Sequence, residues 1–223
     1  MEGVSDDGFS VHCLASGSSA NAVLVACPDG ALLVDAGLGM RALRRYAEER
    51  GVAPEAVAGI CVTHEHGDHT AGAVPFATRW KTPLVATRGT FDAVVRADPY
   101  RRCPEATLLE RSDETAVGPF TVRTFPTTHD AAAPCGFRVS WRGHAVALAT
   151  DTGSVTPEWR DACVGCQLLV VEANHDVDRL RAGPYPPSLQ RRILARDGHL
   201  CNEDAMEMVL AHTAEHGPAA VWF

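Results

Sequence analysis

The residues best suited to chemistry lie between Thr63 and His69, in the order Thr-His-Glu-His-Gly-Asp-His. They include three histidines, His64, His66 and His69, and one aspartate, Asp68. Imidazole and carboxylate groups are the ligands that zinc and similar divalent ions take from proteins. The His64–His66 pair can direct two imidazoles at one ion, and Asp68 with His69 can hold a second. Buried without an ion these groups would lack partners, so the cluster predicts a metal site.

The elements around this cluster explain how it would be positioned. An uncharged apolar run at residues 57–62 precedes it and predicts a buried strand. His129, Asp151 and Asp35 each follow a further apolar run. Loops at one sheet edge converge in layered α/β folds. We therefore expect His129 at the first or the second ion, Asp151 as a bridge between both, and Asp35 as an acceptor that orients a ligand imidazole.

The remaining apolar runs and turns predict a layered α/β fold. Predicted strands span 9–14, 20–26, 31–35, 57–62, 83–86, 118–125, 136–141, 145–150 and 167–172. Predicted helices span 40–50, 70–80, 90–97 and 205–216, with residues 202–204 as the N-terminal cap of the last. Two groups of strands, each followed by helices, indicate a four-layer αββα sandwich. We predict a single domain over residues 1–223.

Composition and charge narrow the class of protein. The 223-residue chain has a formal net charge of −8, which argues against a protein that coats nucleic acid but does not exclude a nuclease. It has no apolar run of membrane-spanning length and no signal-peptide pattern. Its eight cysteines follow no disulfide framework. These features predict a cytoplasmic protein without a membrane partner.

The motifs resemble those of a known superfamily. The His-x-His-x-Asp-His signature after a strand, a later lone histidine and the Thr-Asp-Thr-Gly turn at 150–153 resemble the metallo-β-lactamase-fold hydrolases. Further segments resemble the WalJ (YycJ) exonuclease branch, from about residue 10 to the end of the chain. They are Leu-Ala-Ser-Gly-Ser-Ser-Ala-Asn (14–21), Asp-Ala-Gly-Leu (35–38), Thr-Asp-Thr-Gly (150–153), Val-Glu-Ala-Asn-His-Asp (171–176) and Gly-His-Leu-Cys-Asn (198–202).

This resemblance implies a fold, an activity and a set of ligands. The implied fold is the metallo-β-lactamase sandwich, and the implied activity is 5′-to-3′ hydrolysis of DNA. The implied cofactors are two divalent ions. One would be held by His64, His66 and His129, the other by Asp68 and His69, and Asp151 would bridge them. The ligand types permit zinc, manganese or iron.

Two departures from the branch stand out. Cys201 occupies a position where the branch usually has serine, and a thiol is a weaker hydrogen-bond donor than a hydroxyl. The last residues, 219–223, predict the start of a buried strand. In the branch this strand leads to a further histidine ligand of the second ion, which is absent here. We therefore expect the chain to be truncated, without a C-terminal strand and helix.

The expected reaction is hydrolysis of a phosphodiester by a hydroxide that bridges the two ions, because coordination lowers the pKa of water to about 7. Asp68 would orient this hydroxide. His175 would protonate the leaving group or bind the phosphate, and a purely structural role remains its alternative. His199 would face the substrate. Arg191 and Arg192 would contact phosphates, or else lie on a solvated helix face.

Two other functions are compatible with the same ligands. One is a small-molecule metallo-hydrolase that acts on a thioester, lactone or β-lactam. The other is a non-catalytic metal-binding module, if the last ligand is absent from the protein.

Overall fold

Two β-sheets form the centre of the computed structural model, which describes the backbone of residues 2–4 and all of residues 7–97 and 104–223. The first sheet has the order β1-β2-β3-β4-β5-β6-β7. Pairing is antiparallel from β1 to β4 and parallel from β4 to β7. The strands are β1 (Glu2–Val4), β2 (Ser10–Ala15), β3 (Ala22–Cys27), β4 (Gly30–Val34), β5 (Val57–Cys61), β6 (Leu84–Thr87) and β7 (Ala106–Leu109).

The second sheet has the order β13-β12-β11-β10-β9-β8. Its strands β11, β12 and β13 run parallel, while β8 to β11 are antiparallel neighbours. The strands are β8 (Glu114–Val117), β9 (Phe120–Pro126), β10 (Cys135–Trp141), β11 (His144–Ala149), β12 (Leu168–Val171) and β13 (Ala220–Trp222).

Helices cover both outer faces. They are α1 (Met40–Glu48), α2 (Gly67–Thr70), α3 (Ala73–Trp80), α4 (Arg88–Ala97), α5 (Pro157–Cys163), α6 (Val177–Ala182), α7 (Pro187–Ile193) and α8 (Asn202–His216), with a short 3₁₀ turn at Pro54–Ala56. Within the described ranges, no helix has the length and apolar content needed to cross a bilayer.

Three apolar layers hold the sandwich together. The inner faces of the two sheets meet around Leu32, Phe137 and Leu148. The outer face of the first sheet packs under the first helices through Leu33 and Phe76. A third layer lies between the second sheet and the helices α5 and α8. This arrangement of helix, sheet, sheet and helix confirms the predicted four-layer fold.

The secondary-structure prediction was wrong at several places. The predicted helix 70–80 starts at Ala73 as α3, and Thr70 ends the separate short helix α2. Gly72 lies between the two helices and so close to the Leu38 carbonyl oxygen that a side chain would not fit. The cap of α8 is Cys201, whose Sγ accepts a hydrogen bond from the Asp204 N–H, and residues 202–204 form the first helical turn. The short elements β1, β7, β8, α5, α6 and α7 were missed because their periodicity is weak. The predicted final strand exists as β13, but it is half-exposed instead of buried.

Candidate metal centre and active site

Loops from both sheets bring the candidate residues to one edge of the sandwich. The loop after β5 carries His64 and His66, and the short helix α2 adds Asp68 and His69. Three other loops contribute one candidate each: Asp35 after β4, His129 after β9 and Asp151 after β11. The strands β4 and β5 are parallel, and so are β9 and β11 through their shared neighbour β10. The predicted convergence of strand ends therefore occurs.

Three imidazoles form the first ligand group. One nitrogen from each of His64, His66 and His129 lies within 4.8 Å of the others. His66 Nδ1 and His129 Nε2 are 3.2 Å apart. Burial lowers the pKa of His129, and burial together with the neighbouring His69 lowers the pKa of His64 to about 2. Both rings are therefore neutral near pH 7, which is the form that binds metals.

A second group shares His64 with the first. It consists of His64, His69 and Asp151, whose ligand atoms again lie within 4.8 Å of one another. Asp151 Oδ2 is 2.6 Å from His69 Nε2 and 3.5 Å from His64 Nε2. Asp68 Oδ2 lies 3.5 Å from the same nitrogen of His69. Asp151 therefore belongs to the second group and approaches the first through the shared residue His64.

Asp35 orients the ring of His69 by a hydrogen bond to Nδ1, the nitrogen that does not face Asp151. It is buried, and its Oδ2 accepts a hydrogen bond from His69 Nδ1 at 2.8 Å. The Thr63 hydroxyl lies 3.0 and 2.9 Å from the two oxygens of Asp35, and the Thr63 N–H also donates to this carboxylate. With its Nδ1–H held by Asp35, His69 turns Nε2 towards Asp68 and Asp151. This is the orienting contact expected for Asp35.

Charge within the second group fits a divalent ion. Burial opposes protonation of His69, but Asp35, Asp151 and Asp68 outweigh it and raise the pKa of His69 to about 12. A metal ion can replace this proton among the carboxylates. Within the described part of the chain, His64 Nε2 is buried and has no hydrogen-bond partner, with Asp151 Oδ2 3.5 Å away. An unsatisfied buried nitrogen is costly unless something binds it. The donor set and this orphaned atom both fit a metal.

The backbone at the site adopts unusual conformations. Asp35 and Asp151 have φ values of 58° and 50°, in the left-handed region that L-residues other than asparagine and aspartate rarely enter. Gly37 lies so close to the loop of Asp68 that a Cβ on it would be 1.6 Å from the Asp68 carbonyl oxygen. The two left-handed residues and this close approach fix the course of the loops that carry the candidate ligands.

A third polar group adjoins the metal residues. His199 Nδ1 lies 2.6 Å from Glu172 Oε1 and 3.4 Å from Asp151 Oδ1. The second oxygen of Glu172 accepts hydrogen bonds from the Thr152 and Leu200 N–H groups. The hydrogen bonds to Asp151 and Glu172 raise the pKa of His199 to about 10. Burial alone would raise the pKa of Asp151, but its hydrogen bonds with His199 and His69 outweigh burial and lower it.

Glu172 was missed as a site residue by the sequence reasoning. Its signal was available, because it is the polar residue that follows the apolar strand β12, just as Asp151 follows β11. It was assigned to the end of the strand instead.

Three of the four other predicted residues line a cavity of about 640 Å³ that contains this site. His175, His199 and Arg192 line it, together with Asp68, His129 and Asp151. Neither ring nitrogen of His175 has a hydrogen-bond partner in the described ranges.

The two predicted arginines lie differently on α7. Arg192 forms an ion pair with Asp130 at 2.7 Å. Arg191 is exposed on the same helix and is not part of the cavity lining.

Comparison with known proteins identifies the family. A beta-lactamase superfamily domain matches residues 31–216, so the chain belongs to the beta-lactamase superfamily and has the metallo-β-lactamase fold. Human tRNase Z, short form, has a TM-score of 0.65 at 18% identity, with 97% of this chain and 89% of that chain covered. YhfI from Bacillus subtilis has a TM-score of 0.62 at 18% identity, with 95% and 94% covered. At this identity, both matches show the fold alone.

Curated relatives place the chain more narrowly. Exodeoxyribonuclease YycJ of Bacillus anthracis is 36% identical over 198 residues, which cover 89% of this chain and 75% of the relative. Exodeoxyribonuclease WalJ of Streptococcus pneumoniae is 33% identical over 209 residues, which cover 93% and 78%. The chain is thus a YycJ/WalJ-like member of the superfamily, as the motifs predicted.

Proposed function

We propose that this protein is a metal-dependent exonuclease that hydrolyses DNA. The observation that carries the proposal is the pair of ligand groups sharing His64, with the His199–Glu172 pair directly beside them. Both relatives are named exodeoxyribonucleases, which supports the proposal. The Asn-His-Asp and Gly-His-Leu segments supply His175 and His199 to the same cavity, which favours a nuclease over a small-molecule hydrolase.

Two divalent ions are the proposed cofactors, with zinc or manganese as the favoured identities and iron also compatible. His64, His66 and His129 would hold one ion, Asp68 and His69 the other, and Asp151 would contact both. Bound ions of this kind activate water at neutral pH and stabilise negative charge on phosphoryl oxygens.

Side chains of the protein would orient the attacking water and donate a proton to the leaving oxygen. Asp68, whose side chain is 29% exposed and which lines the cavity, would orient the attacking water. His199 is better placed than His175 to protonate the leaving oxygen, because Glu172 and Asp151 hold its protonated ring beside the metal ligands. His175 and Arg192 would contact the phosphates of the substrate.

We also propose that the protein acts in the cytoplasm. DNA as the substrate supports this location, and so do the cysteines in the described residues, all of which are unpaired.

The proposal is tested with 5′-labelled DNA and added manganese or zinc. We expect stepwise release of nucleotides, loss of activity with a chelator, and turnover reduced at least 100-fold by Asp68→Asn with little change in thermal stability. Nitrocefin and a thioester serve as competing substrates. Hydrolysis of either of these without cleavage of DNA would contradict the proposal, as would full activity of Asp68→Asn.

A further inference from the structure

An exposed tyrosine stands at the mouth of the active-site cavity. Tyr185 lines the same cavity as His129 and Asp151, yet 52% of its surface is exposed. Large aromatic side chains normally bury most of their surface. An aromatic ring left open beside a catalytic site provides a flat surface for a planar ligand.

The backbone around Tyr185 is held rigidly. Pro184 and Pro186 flank it, and Pro187 starts α7, so the backbone dihedral φ is fixed at three of four neighbouring positions. The side-chain amide of Gln190 donates a hydrogen bond to the Tyr185 carbonyl oxygen at 3.0 Å. A planar ligand would therefore meet a ring on a pre-ordered backbone, which lowers the entropic cost of binding.

The segment from Tyr185 to Ile193 is also connected to the candidate catalytic residues by an ion pair and a hydrogen bond. Arg192 pairs with Asp130, the neighbour of His129, and the His199 N–H donates to the Ile193 carbonyl oxygen at 3.0 Å. Gly198 permits this contact, since a Cβ there would lie 2.3 Å from the Arg192 carbonyl oxygen. The position of Tyr185 is thus tied to that of His129 and His199.

The segment that carries Tyr185 is rich in arginine, whereas the cavity beside it is lined by Asp35, Asp68, Asp151 and Glu172, whose charge the proposed metal ions would offset. Residues 179–196 contain five arginines and neither aspartate nor glutamate. Among the described residues, Arg192 alone of these five has an ion-pair partner. Stacking of bases on aromatic rings next to a basic groove is the usual way in which proteins bind single-stranded nucleic acid. A small apolar substrate would need an enclosed apolar pocket instead.

We propose that Tyr185 stacks on the base of the nucleotide at the cleaved end of DNA, so that the substrate is an end whose terminal nucleotide is unpaired. This rests on the proposed nuclease function and adds a specificity-determining residue to it. Stacking on an aromatic ring strengthens binding of a base by about tenfold or more.

Binding gives the first test. The affinity of the metal-loaded protein for a single-stranded oligonucleotide is measured by fluorescence anisotropy, with phosphorothioate linkages in the DNA to prevent cleavage. A second oligonucleotide has an abasic terminal nucleotide. We expect the unaltered protein and Tyr185→Phe to bind the abasic DNA about tenfold more weakly, and Tyr185→Ala to bind both DNAs equally. Leu210→Ala, at an exposed position on α8 outside the cavity, is the control and should retain the difference. Equal affinity of the unaltered protein for both DNAs, or no binding to either, would overturn the proposal.

Cleavage of the same two DNAs separates this inference from the proposed function. We expect the unaltered protein to have a kcat/KM about tenfold lower for the abasic end than for the normal end. In Tyr185→Ala, we expect the two DNAs to have equal kcat/KM. If the unaltered protein cleaves both ends at equal rates, the stacking proposal is wrong and the nuclease function stands. If it cleaves no DNA at all, the nuclease function is wrong and the stacking proposal falls with it.

Discussion

At the scale of single residues, His64 gives the strongest indication that the candidate site binds metal. Its side chain is 1% exposed, it belongs to both ligand groups, and its Nε2 has no hydrogen-bond partner among the residues that the structure describes. A buried nitrogen in this state lowers stability unless an ion or a proton donor satisfies it. A purely structural histidine would be expected to find a partner within the protein, so the geometry favours a ligand.

Glu172→Gln should change how activity depends on pH. In the unaltered protein the pKa of His199 is raised to about 10, so its ring stays protonated at neutral pH. Removal of the carboxylate charge should lower this pKa, and His199 should lose its proton as the pH rises through the new value. We expect turnover to fall by 10²-fold or more at pH 8 and by less at pH 6, as lost general-acid catalysis predicts.

The measurement is kcat on DNA from pH 5.5 to 9, together with the metal content of the variant. Glu207→Gln, at an exposed position of α8, is the control. A uniform loss at every pH, with metal also lost, would show that Glu172 holds an ion instead of positioning His199.

At the scale of secondary-structure elements, the close approach of a loop to a helix positions the candidate ligands. The loop after β4 contacts α2 through Gly37, whose N–H donates to the Asn21 carbonyl oxygen. The Asp68 carbonyl oxygen in turn accepts from the Asn21 N–H at 2.7 Å. These contacts set the distance between the loop of Asp35 and the helix that carries Asp68 and His69.

Gly37→Ala should therefore disturb both stability and the metal site. A methyl group there would overlap the Asp68 carbonyl, and relief of this overlap requires a backbone shift that costs about 2–4 kcal/mol. Thermal unfolding and metal titration measure the two effects. Gly39→Ala is the matched control, because it lies two residues away with no atom within 4 Å of its added Cβ. Equal behaviour of both variants would contradict the proposed role of this contact.

The helix α7 should determine the electrostatic part of DNA binding. Combined Arg191→Glu and Arg192→Glu should weaken binding and reduce the slope of log K against log salt by about 1–2, if both side chains contact phosphates. The control is Arg44→Glu with Arg45→Glu on α1, which changes the net charge equally. The salt dependence of the oligonucleotide affinity is the measurement, and an unchanged slope would assign Arg191 and Arg192 to a solvated face.

At the scale of the whole molecule, metal binding should stabilise the fold. The ligands come from both sheets, so an ion would link the two halves of the sandwich. An ion present at 100 times its Kd adds about 2.7 kcal/mol, which corresponds to an increase in Tm of about 5–10 °C. His64→Ala should lose most of this increase, while the exposed His216→Ala should retain it. Metal-independent Tm values for the unaltered protein would contradict the proposed centre.

Local patterns in the sequence predicted much of this protein. Short β-branched runs and the helical spacing before Gly51 gave most strands and the first helix. Ligand density between His64 and His69 predicted the metal site, and the family and fold expected from the motifs are confirmed by the superfamily match and the curated relatives. These features depend on spacing of a few residues, which the sequence displays directly.

Tertiary structure decided what depends on distant contacts. The break between α2 and α3 lies where Gly72 packs against the Leu38 carbonyl oxygen. Glu172 gains its role only because His199, 27 residues away, folds against it. Tyr185 reaches the cavity because α7 is fastened to the site loops. Amino-acid type and spacing determined which groups could bind metal, whereas the packing of loops from two sheets determined which of them meet, since side chains far apart in sequence interact only after the sheets have packed together.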